Sequence, residues 1–499
     1  MMPLRRQLAR NIFSSWFAYA VRLGITFLFV PYITSVLGDA RYGVWVIIFQ
    51  TIFYFSLLDA GLTSALTRYI SKFLATREFD KINRVLNTAN ILYFIVGALV
   101  MLGIWGFVTF AFRYFQISDP EVMAEGKTAL LILGAFMAFN FAALPFGNTL
   151  SAFHRYDVLN MLTIGEEIIR TLLMVFMLSQ GNGLVALALV ILMLTVVRHL
   201  LGAGLLLKLY PEVDIGRQYA DKATAKMLFS YSKVSFGISL CWLILFNTDE
   251  LLLGIISSAA AAGIYHPGAQ LMRYLRNLIN AAALPLIPAI SHKEAQGDLE
   301  PVRDLYLKAV RYISYLSFAI AAGVVVYAES FVILWLPPEF AGAGRVMQVL
   351  AVGTAILLPQ IVGHSVLFGI EKHSRLLIVA ITEAVLKLAL SIYLIPRYGL
   401  LGMAIAVSAP QILLFSTLFP FLVARELGVS YFRVIGTTFV SGLVGLVIAL
   451  PLAWSANWAI VPDTWVNFFV GIGMVVLAVL GGLWLVALPE DRAKVREWF

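Results

Sequence analysis

Charge is scarce in this chain. Only 13% of the 499 residues are Asp, Glu, Lys or Arg, where an ordinary soluble domain carries roughly 25%. Cysteine is almost absent: Cys241 stands alone, which forbids an internal disulfide and a closed thiolate metal site and argues against redox chemistry. No stretch reads GxxxxGK[ST], HExxH or GxSxG, so an ATP-driven pump and an embedded hydrolase have no sequence support. No cofactor and no metal are expected, and no catalytic residue is assigned. What fills the chain instead is apolar: 61% of residues are hydrophobic and the mean hydropathy is +0.89. Too few polar residues remain to cover the surfaces of soluble domains, so the surplus apolar surface must face lipid. The same numbers exclude disordered, collagen-like and coiled-coil chains.

The apolar runs are continuous and far longer than the ten-residue alternating segments of an outer-membrane barrel. The first run lacks a small-residue cleavage site and is followed at once by another, so it reads as a retained helix rather than a signal peptide. A hydrocarbon core of about 30 Å takes about 20 helical residues. Fourteen segments reach that length, near 11–37, 42–67, 85–112, 128–148, 158–178, 183–207, 228–256, 262–291, 309–334, 346–369, 375–396, 399–424, 434–456 and 464–488. The fold class expected is therefore an all-α polytopic membrane protein.

Lysine and arginine orient it, because positively charged loops stay in the cytoplasm. With both ends inside, 24 of the 36 basic residues fall in inner loops and tails and five in outer loops (Arg41, Arg113, Lys127, Arg345, Arg397), with seven left inside helices. The net charge of +8 is then a topology signal and not a nucleic-acid footprint. The outer loops are short, the longest running about 113–127, which leaves no room for an external catalytic domain.

The chain also repeats. A shift of about 220 lays Gly43 on Gly263 and the charged connector Glu78-Phe79-Asp80-Lys81-Ile82-Asn83 on Asp298-Leu299-Glu300-Pro301-Val302-Arg303. A shift of 217 lays Glu166 on Glu383 and Arg170 on Lys387, and one of 216 lays Gly183-Leu184-Val185-Ala186 on Gly399-Leu400-Leu401-Gly402. Both copies start from the cytoplasmic side, so they are parallel repeats about an axis along the membrane normal. The expected layout is an N-terminal six-helix bundle (1–208), a polar cytoplasmic linker (209–227), a second six-helix bundle (228–425), and two added helices with a short tail (426–499). The linker is expected to absorb relative motion of the bundles.

Ionisable groups at mid-membrane cost at least about 2.5–3.5 kcal/mol on insertion scales, so each needs a partner or water. Glu166–Arg170 and Glu383–Lys387 are spaced one turn apart and read equally well as self-neutralising pairs. Arg22, in the first span, and Arg273 and Arg276, in the eighth, have no acid one turn away. They are the candidate lining of a central cationic cavity between the bundles, with Arg170, Lys387 and Arg198 as further cations; His199 neighbours Arg198. Such a cavity suits an anion, above all a phosphate, which arginine binds bidentately. Asp59, Glu166, Asp249, Glu250 and Glu383 are the candidate ion-coupling acids, although Asp249 and Glu250 also read as the polar end of a tilted helix. His364 reads as a packed, hydrogen-bonded histidine. Pro31, Pro145, Pro285, Pro288, Pro359 and Pro410 are expected to bend their spans.

The block Asn11 to Leu74, with Arg22, Pro31, LGDARYGVW and LLDAGLTSALTRYISK, resembles the polysaccharide-transporter (Wzx-like) branch of the multidrug/oligosaccharidyl-lipid/polysaccharide flippase superfamily. The segment Asp249 to Tyr265, ending in GIY, looks like that family's start of a second bundle. The resemblance implies a V-shaped, MATE-like pair of bundles and export of an undecaprenyl-pyrophosphate-linked oligosaccharide across the bacterial inner membrane by alternating access. It implies a transporter rather than an enzyme, acting as a monomer alongside glycan polymerase or export machinery, with no nucleic-acid partner. Two rivals differ in what they require: a drug/cation antiporter of the same fold needs a lumen dominated by acids, and a polymerase or ligase needs an arginine-rich external loop.

Overall fold

The computed structural model describes the backbone of residues 4–59, 61–230, 243, 245, 247–283, 286–372 and 374–487, and the side chains of all of these except 4–20, 22, 282, 288, 289, 485 and 486. Among the described residues there is no strand. Lipid offers backbone N–H and C=O groups no partner, so a helix, which pairs them internally, is what a long apolar run adopts. Nine helical stretches among the described residues are long and apolar enough to cross a bilayer, and 374–427 is long enough to cross it twice.

Six helices and their caps build the first repeat: α1 (Leu4–Phe55), α2 (Leu62–Ala75), α3 (Phe79–Phe110), α4 (Pro120–Ala152), α5 (Tyr156–Ser179) and α6 (Leu184–Leu209). The second span, expected to be unbroken over 42–67, is interrupted by a 3-10 turn at Ser56–Asp59 and by Gly61, whose φ of 79° is left-handed. α4 starts where sequence chemistry dictates: Asp119 accepts from the Glu121 N–H at 2.8 Å, and Pro120 fills a first-turn position that needs no N–H. α4 packs against α3 and α6, α2 lies against both α3 and α4, and α1 lies along α5.

Further on come α7 (Asp249–Ile256), α8 (Ala259–Ala283), α9 (Leu286–Ala295), α10 (Glu300–Trp335), α11 (Gly342–Gly369), α12 (Ser374–Ser416), α13 (Leu418–Leu427), α14 (Tyr431–Ala459) and α15 (Trp465–Val486). The eleventh and twelfth spans run together as α12, broken only at Gly399, where φ is 53°. The first and second spans run together likewise across Gly38, with φ 71°. Pro31, Pro145, Pro359 and Pro410 sit inside continuous helices, so the sharp breaks belong to glycines that tolerate positive φ and not to these prolines. Pro285 lies outside the described residues, as does the side chain of Pro288. α10 packs on α11 and α14, and α15 packs on α14 and α10. The last two helices are fastened by Tyr315, whose hydroxyl donates to the Val479 carbonyl at 2.6 Å, and by an aromatic cluster of Tyr327, Phe331, Trp465 and Phe468. Their other faces carry exposed Phe432, Trp454, Trp458 and Val466, the surface a lipid-facing helix presents.

The chain forms two compact units, Met1–Ala260 and Ala261–Phe499. The division falls beyond the linker, because α7 and the first turn of α8 are docked on the first repeat. Gln116 N–H donates to the Gly254 carbonyl at 2.8 Å, and Ala259 N–H donates to the Gln116 carbonyl at 3.1 Å. Gly43 of α1 approaches so closely that a Cβ there would sit 1.8 Å from the Ala259 carbonyl oxygen.

Candidate functional site

In the first unit the ionisable residues converge because two helices present them in register. Glu166 and Arg170 share one face of α5 at i, i+4, while Thr195 and Arg198 share one face of α6 at i, i+3. Where α5 and α6 pack, Arg198 Nε lies 2.5 Å from Glu166 Oε2, and Thr195 Oγ1 donates to Glu166 Oε1 at 3.2 Å. Arg170 Nη1 stands 3.8 Å from Glu166 Oε1, and its Nη2 is 2.8 Å from Glu167 Oε2. His199 lies on the α4 side of this cluster: its Nε2 is 3.0 Å from Arg198 Nη2 and 2.9 Å from Asn140 Oδ1, and that one nitrogen either accepts from Arg198 or donates to Asn140. Two acids and two guanidiniums thus neutralise one another, with Arg170 and Arg198 each about a quarter exposed.

The second unit repeats the design with different donors. Glu383 accepts a hydrogen bond from Gln411 and lies in the fields of Lys387, one turn along α12, and of Arg276 on α8. Glu383 is 7% exposed and Lys387 is 2% exposed. Gln411 is related to Thr195 by the same shift of 216 that relates Gly399 to Gly183, so each repeat hydrogen-bonds its acid from an equivalent position on its sixth helix. The second cation is not equivalent. It comes from the sixth helix in the first unit (Arg198) and from the second helix of the repeat in the other (Arg276). The field that Arg276 and Glu383 share runs between two helices. Arg273 donates through Nε to Gln270 Oε1 at 2.9 Å, and its Nη2 is 3.3 Å from His266 Nδ1.

The remaining acids sit apart from these two clusters. Asp59 accepts from Tyr93 Oη at 2.5 Å and from Thr63 Oγ1 at 2.8 Å, with Asn148 Nδ2 reaching Thr63 Oγ1 at 3.4 Å. Asp249 and Glu250 are buried in the first turn of α7, the positive end of that helix, beside Thr248, whose hydroxyl meets Tyr54 Oη at 2.5 Å. His364 is packed, its Nδ1 3.1 Å from the Gln360 carbonyl and its ring stacked on Phe419. The side chain of Arg22 lies outside the described residues. Among the described residues, no three His, Cys, Asp or Glu side chains are placed to hold a metal ion. Sequence reasoning passed over Thr195 and Gln411 although their common shift was legible, whereas Asn140, Tyr93, Thr63 and Asn148 carried no signal on their own.

A carboxylate-held guanidinium inside a membrane helix is an oriented partner that a phosphate oxygen can take over. A match to the polysaccharide biosynthesis protein family runs over residues 8–293, more than half of the chain. The chain belongs to that family. Over 98% of its length it is 21% identical to EpsK, an uncharacterized membrane protein of Bacillus subtilis, covering 97% of that protein. It is 23% identical to Agl15 of Haloferax volcanii, a probable low-salt glycan biosynthesis flippase, over 80% of each chain. In fold it matches the lipid II flippase MurJ in an inward closed conformation, with a TM-score of 0.75, 13% identity, and coverage of 95% of this chain and 98% of that one. It also matches an inward-facing MATE-family multidrug resistance transporter of the MOP superfamily, with a TM-score of 0.67 and 16% identity, over 82% of this chain and 98% of that one. This member of a polysaccharide biosynthesis family is a multi-pass membrane protein with a MATE/MurJ-like fold.

Proposed function

We propose that this chain flips an undecaprenyl-pyrophosphate-linked oligosaccharide, the repeat unit of an O-antigen, exopolysaccharide or similar glycan, across the bacterial inner membrane by alternating access. The observation that carries the reading is the pair of matched intramembrane acids, each in the field of two cations: Glu166 beside Arg170 and Arg198, and Glu383 in the fields of Lys387 and Arg276. A pyrophosphate has the charge and oxygen geometry to exchange with those carboxylates for the guanidiniums. It meets Arg198, Arg170, Arg276 and Lys387, with Arg22 and Arg273 as further contacts. A drug/cation antiporter would gain nothing from cations in this number. Asp59, Glu166, Asp249, Glu250 and Glu383 are the groups through which an ion gradient would drive the cycle. Both termini lie in the cytoplasm, the chain works as a monomer, and a glycan polymerase or export system takes the product.

The test is translocation of a fluorescent undecaprenyl-pyrophosphate glycan by the purified chain in proteoliposomes. Arg198→Gln and Arg276→Gln are each expected to slow flipping at least about tenfold, the loss of one charge-assisted contact worth about 1.4 kcal/mol or more, at unchanged protein yield. Flipping at the wild-type rate by the R198Q/R276Q double variant, or equal flipping of a glycolipid lacking the pyrophosphate, would overturn the reading.

A further inference from the structure

Between its first and second repeats the chain runs out of α6 through an extended polar stretch whose composition reads as a slack hinge. The structure holds that stretch down. Asn83 and Asn87 stand one turn apart on α3, each 4% exposed, and each engages the stretch with both ends of its amide. Asn83 Nδ2 donates to the Glu212 carbonyl at 3.1 Å, and its Oδ1 accepts from Asp214 N–H at 3.0 Å. Asn87 Nδ2 donates to the Asp214 carbonyl at 2.8 Å, and its Oδ1 accepts from Gly216 N–H at 3.0 Å. On the next residue of the helix, Thr88 Oγ1 accepts from Asp221 N–H at 3.2 Å.

The match is geometric. Four helical residues advance about 6 Å, and two residues of extended chain advance about 6.6 Å, so amides at i, i+4 on a helix meet every second residue of a strand laid along it. Each asparagine then supplies the donor and the acceptor that a neighbouring strand would supply. All four bonds go to backbone atoms, so they read the extension of the stretch and not its side chains. Val213, between the anchored residues, is 3% exposed. The second repeat does the same with another residue type. Arg303, which the shift of 220 lays on Asn83, donates through Nε to the carbonyl of Leu427, at the end of α13. In both repeats the start of the third helix grips the chain as it leaves the sixth.

We infer that Asn83 and Asn87 form a main-chain docking site whose resident occupant is 212–216, so that the chain as far as Asp221 is a strap travelling with the first repeat. Any hinge between the repeats then lies beyond Asp221. The docking stands on the hydrogen bonds alone; the placement of the hinge rests on the alternating-access reading.

Hydrogen–deuterium exchange on the full chain in lipid nanodiscs reads the docking without any transport. In the wild type, amides 214 and 216 are expected to exchange at least about a hundredfold more slowly than free chain, and N83A/N87A to speed exchange over 210–221 at least tenfold while 91–108 of α3 stays protected. Free-chain exchange in the wild type, or no change in N83A/N87A, overturns the docking. Should the double alanine variant fail to fold, Asn83→Asp and Asn87→Asp, which keep the acceptors and lose the donors, replace it with the same expectation. The hinge is read in C241S protein with cysteines at Thr88 and Asp221 joined by a short bis-maleimide. Flipping at the rate of the unjoined protein supports it, and loss of flipping on joining overturns it. Absence of flipping in wild-type protein would sink the proposed function and leave the exchange result standing.

Discussion

Replacing Glu383 by Leu removes an acid whose field reaches both Lys387 and Arg276. Both Glu383 and Lys387 are almost fully enclosed, at 7% and 2% exposure, so the ammonium cannot turn to water to replace the lost carboxylate. Removing one partner of a buried pair typically costs about 3–5 kcal/mol, and Glu383→Leu should fall in that range. Lys387→Leu should cost markedly less, about 1–2 kcal/mol, because Glu383 keeps the hydrogen bond from Gln411 and the field of Arg276. The E383L/K387L double variant should recover part of the single loss, since an apolar pair of similar volume is close to neutral, while Arg276 remains under-compensated. The two positions therefore couple by about 2 kcal/mol in a double-mutant cycle. Reversible unfolding of the purified protein in mixed micelles, followed by tryptophan fluorescence, measures all four corners. Equal losses below about 1 kcal/mol for the two single variants would refute the shared-acid geometry.

Three further outcomes follow from local geometry. Gly43→Leu should destabilise the first unit by about 3 kcal/mol, the upper end for overpacking, because the obstacle 1.8 Å from the new Cβ is the Ala259 carbonyl and not a side chain that can swing away; unfolding in micelles reads it, and a loss under about 1 kcal/mol would contradict the close approach. Tyr93→Phe should cost about 1.5–3 kcal/mol, the worth of a hydrogen bond to a charged group, since its hydroxyl donates to Asp59, and Thr63→Val in the same background should add to the loss. Asp221 caps the segment 222–230 by accepting from Thr224 Oγ1 and Thr224 N–H, which lowers its pKa below the usual carboxylate value. That contribution, about 1 kcal/mol for such a cap, is complete above the unfolded pKa of about 3.9 and fades as pH falls below it. Amide exchange over 222–226 should accordingly rise in acid in the wild type and be raised at every pH in Asp221→Ala; pH-independent exchange in the wild type would count against the cap.

The helical membrane fold was legible because lipid leaves few solutions: a run of some twenty apolar residues has to be a helix, and a charge inside it has to be explained. The pairing of Glu166 with Glu383 and of Arg170 with Lys387 was readable for that reason. What the one-dimensional pattern hid was partnership across helices. Arg276 has no acid within a turn of itself, which made it look solitary, yet it lies in the field of Glu383, on another helix more than a hundred residues along the chain. Proline drew attention as the obvious helix breaker, whereas the helix-merging breaks fell at Gly38 and Gly399, where positive φ is needed. The linker misled in the same way. Its charges and its proline describe a solvated segment truthfully, but its anchoring depends on Asn83 and Asn87, more than a hundred residues away, in a helix whose own sequence gives no sign of what it will hold.

The two clusters share some parts and differ in others. The acid, its one-turn base and the hydrogen-bond donor recur at shifts of 217 and 216, while the second guanidinium stands on α6 in the first unit and on α8 in the second. In a bilayer the acid and its base must be retained together, because losing either strands a charge at a cost of several kcal/mol. The donor of the second guanidinium is under no such constraint, since any helix packed nearby can supply it. The consequence is a functional asymmetry: displacement of α6 is felt at Glu166, and displacement of α8 at Glu383. Arg198→Lys and Arg276→Lys keep the charge and lose the planar fork, so in a flipping assay each should fall between wild type and the Gln variant. The two positions should differ because the His199 ring, which lies against Asn140 of α4, also lies beside Arg198, so Asn140→Leu should disturb the first cluster. If Asn140→Leu left flipping unchanged while Arg198→Gln abolished it, the tie to α4 would be packing alone and the guanidinium would be held by Glu166.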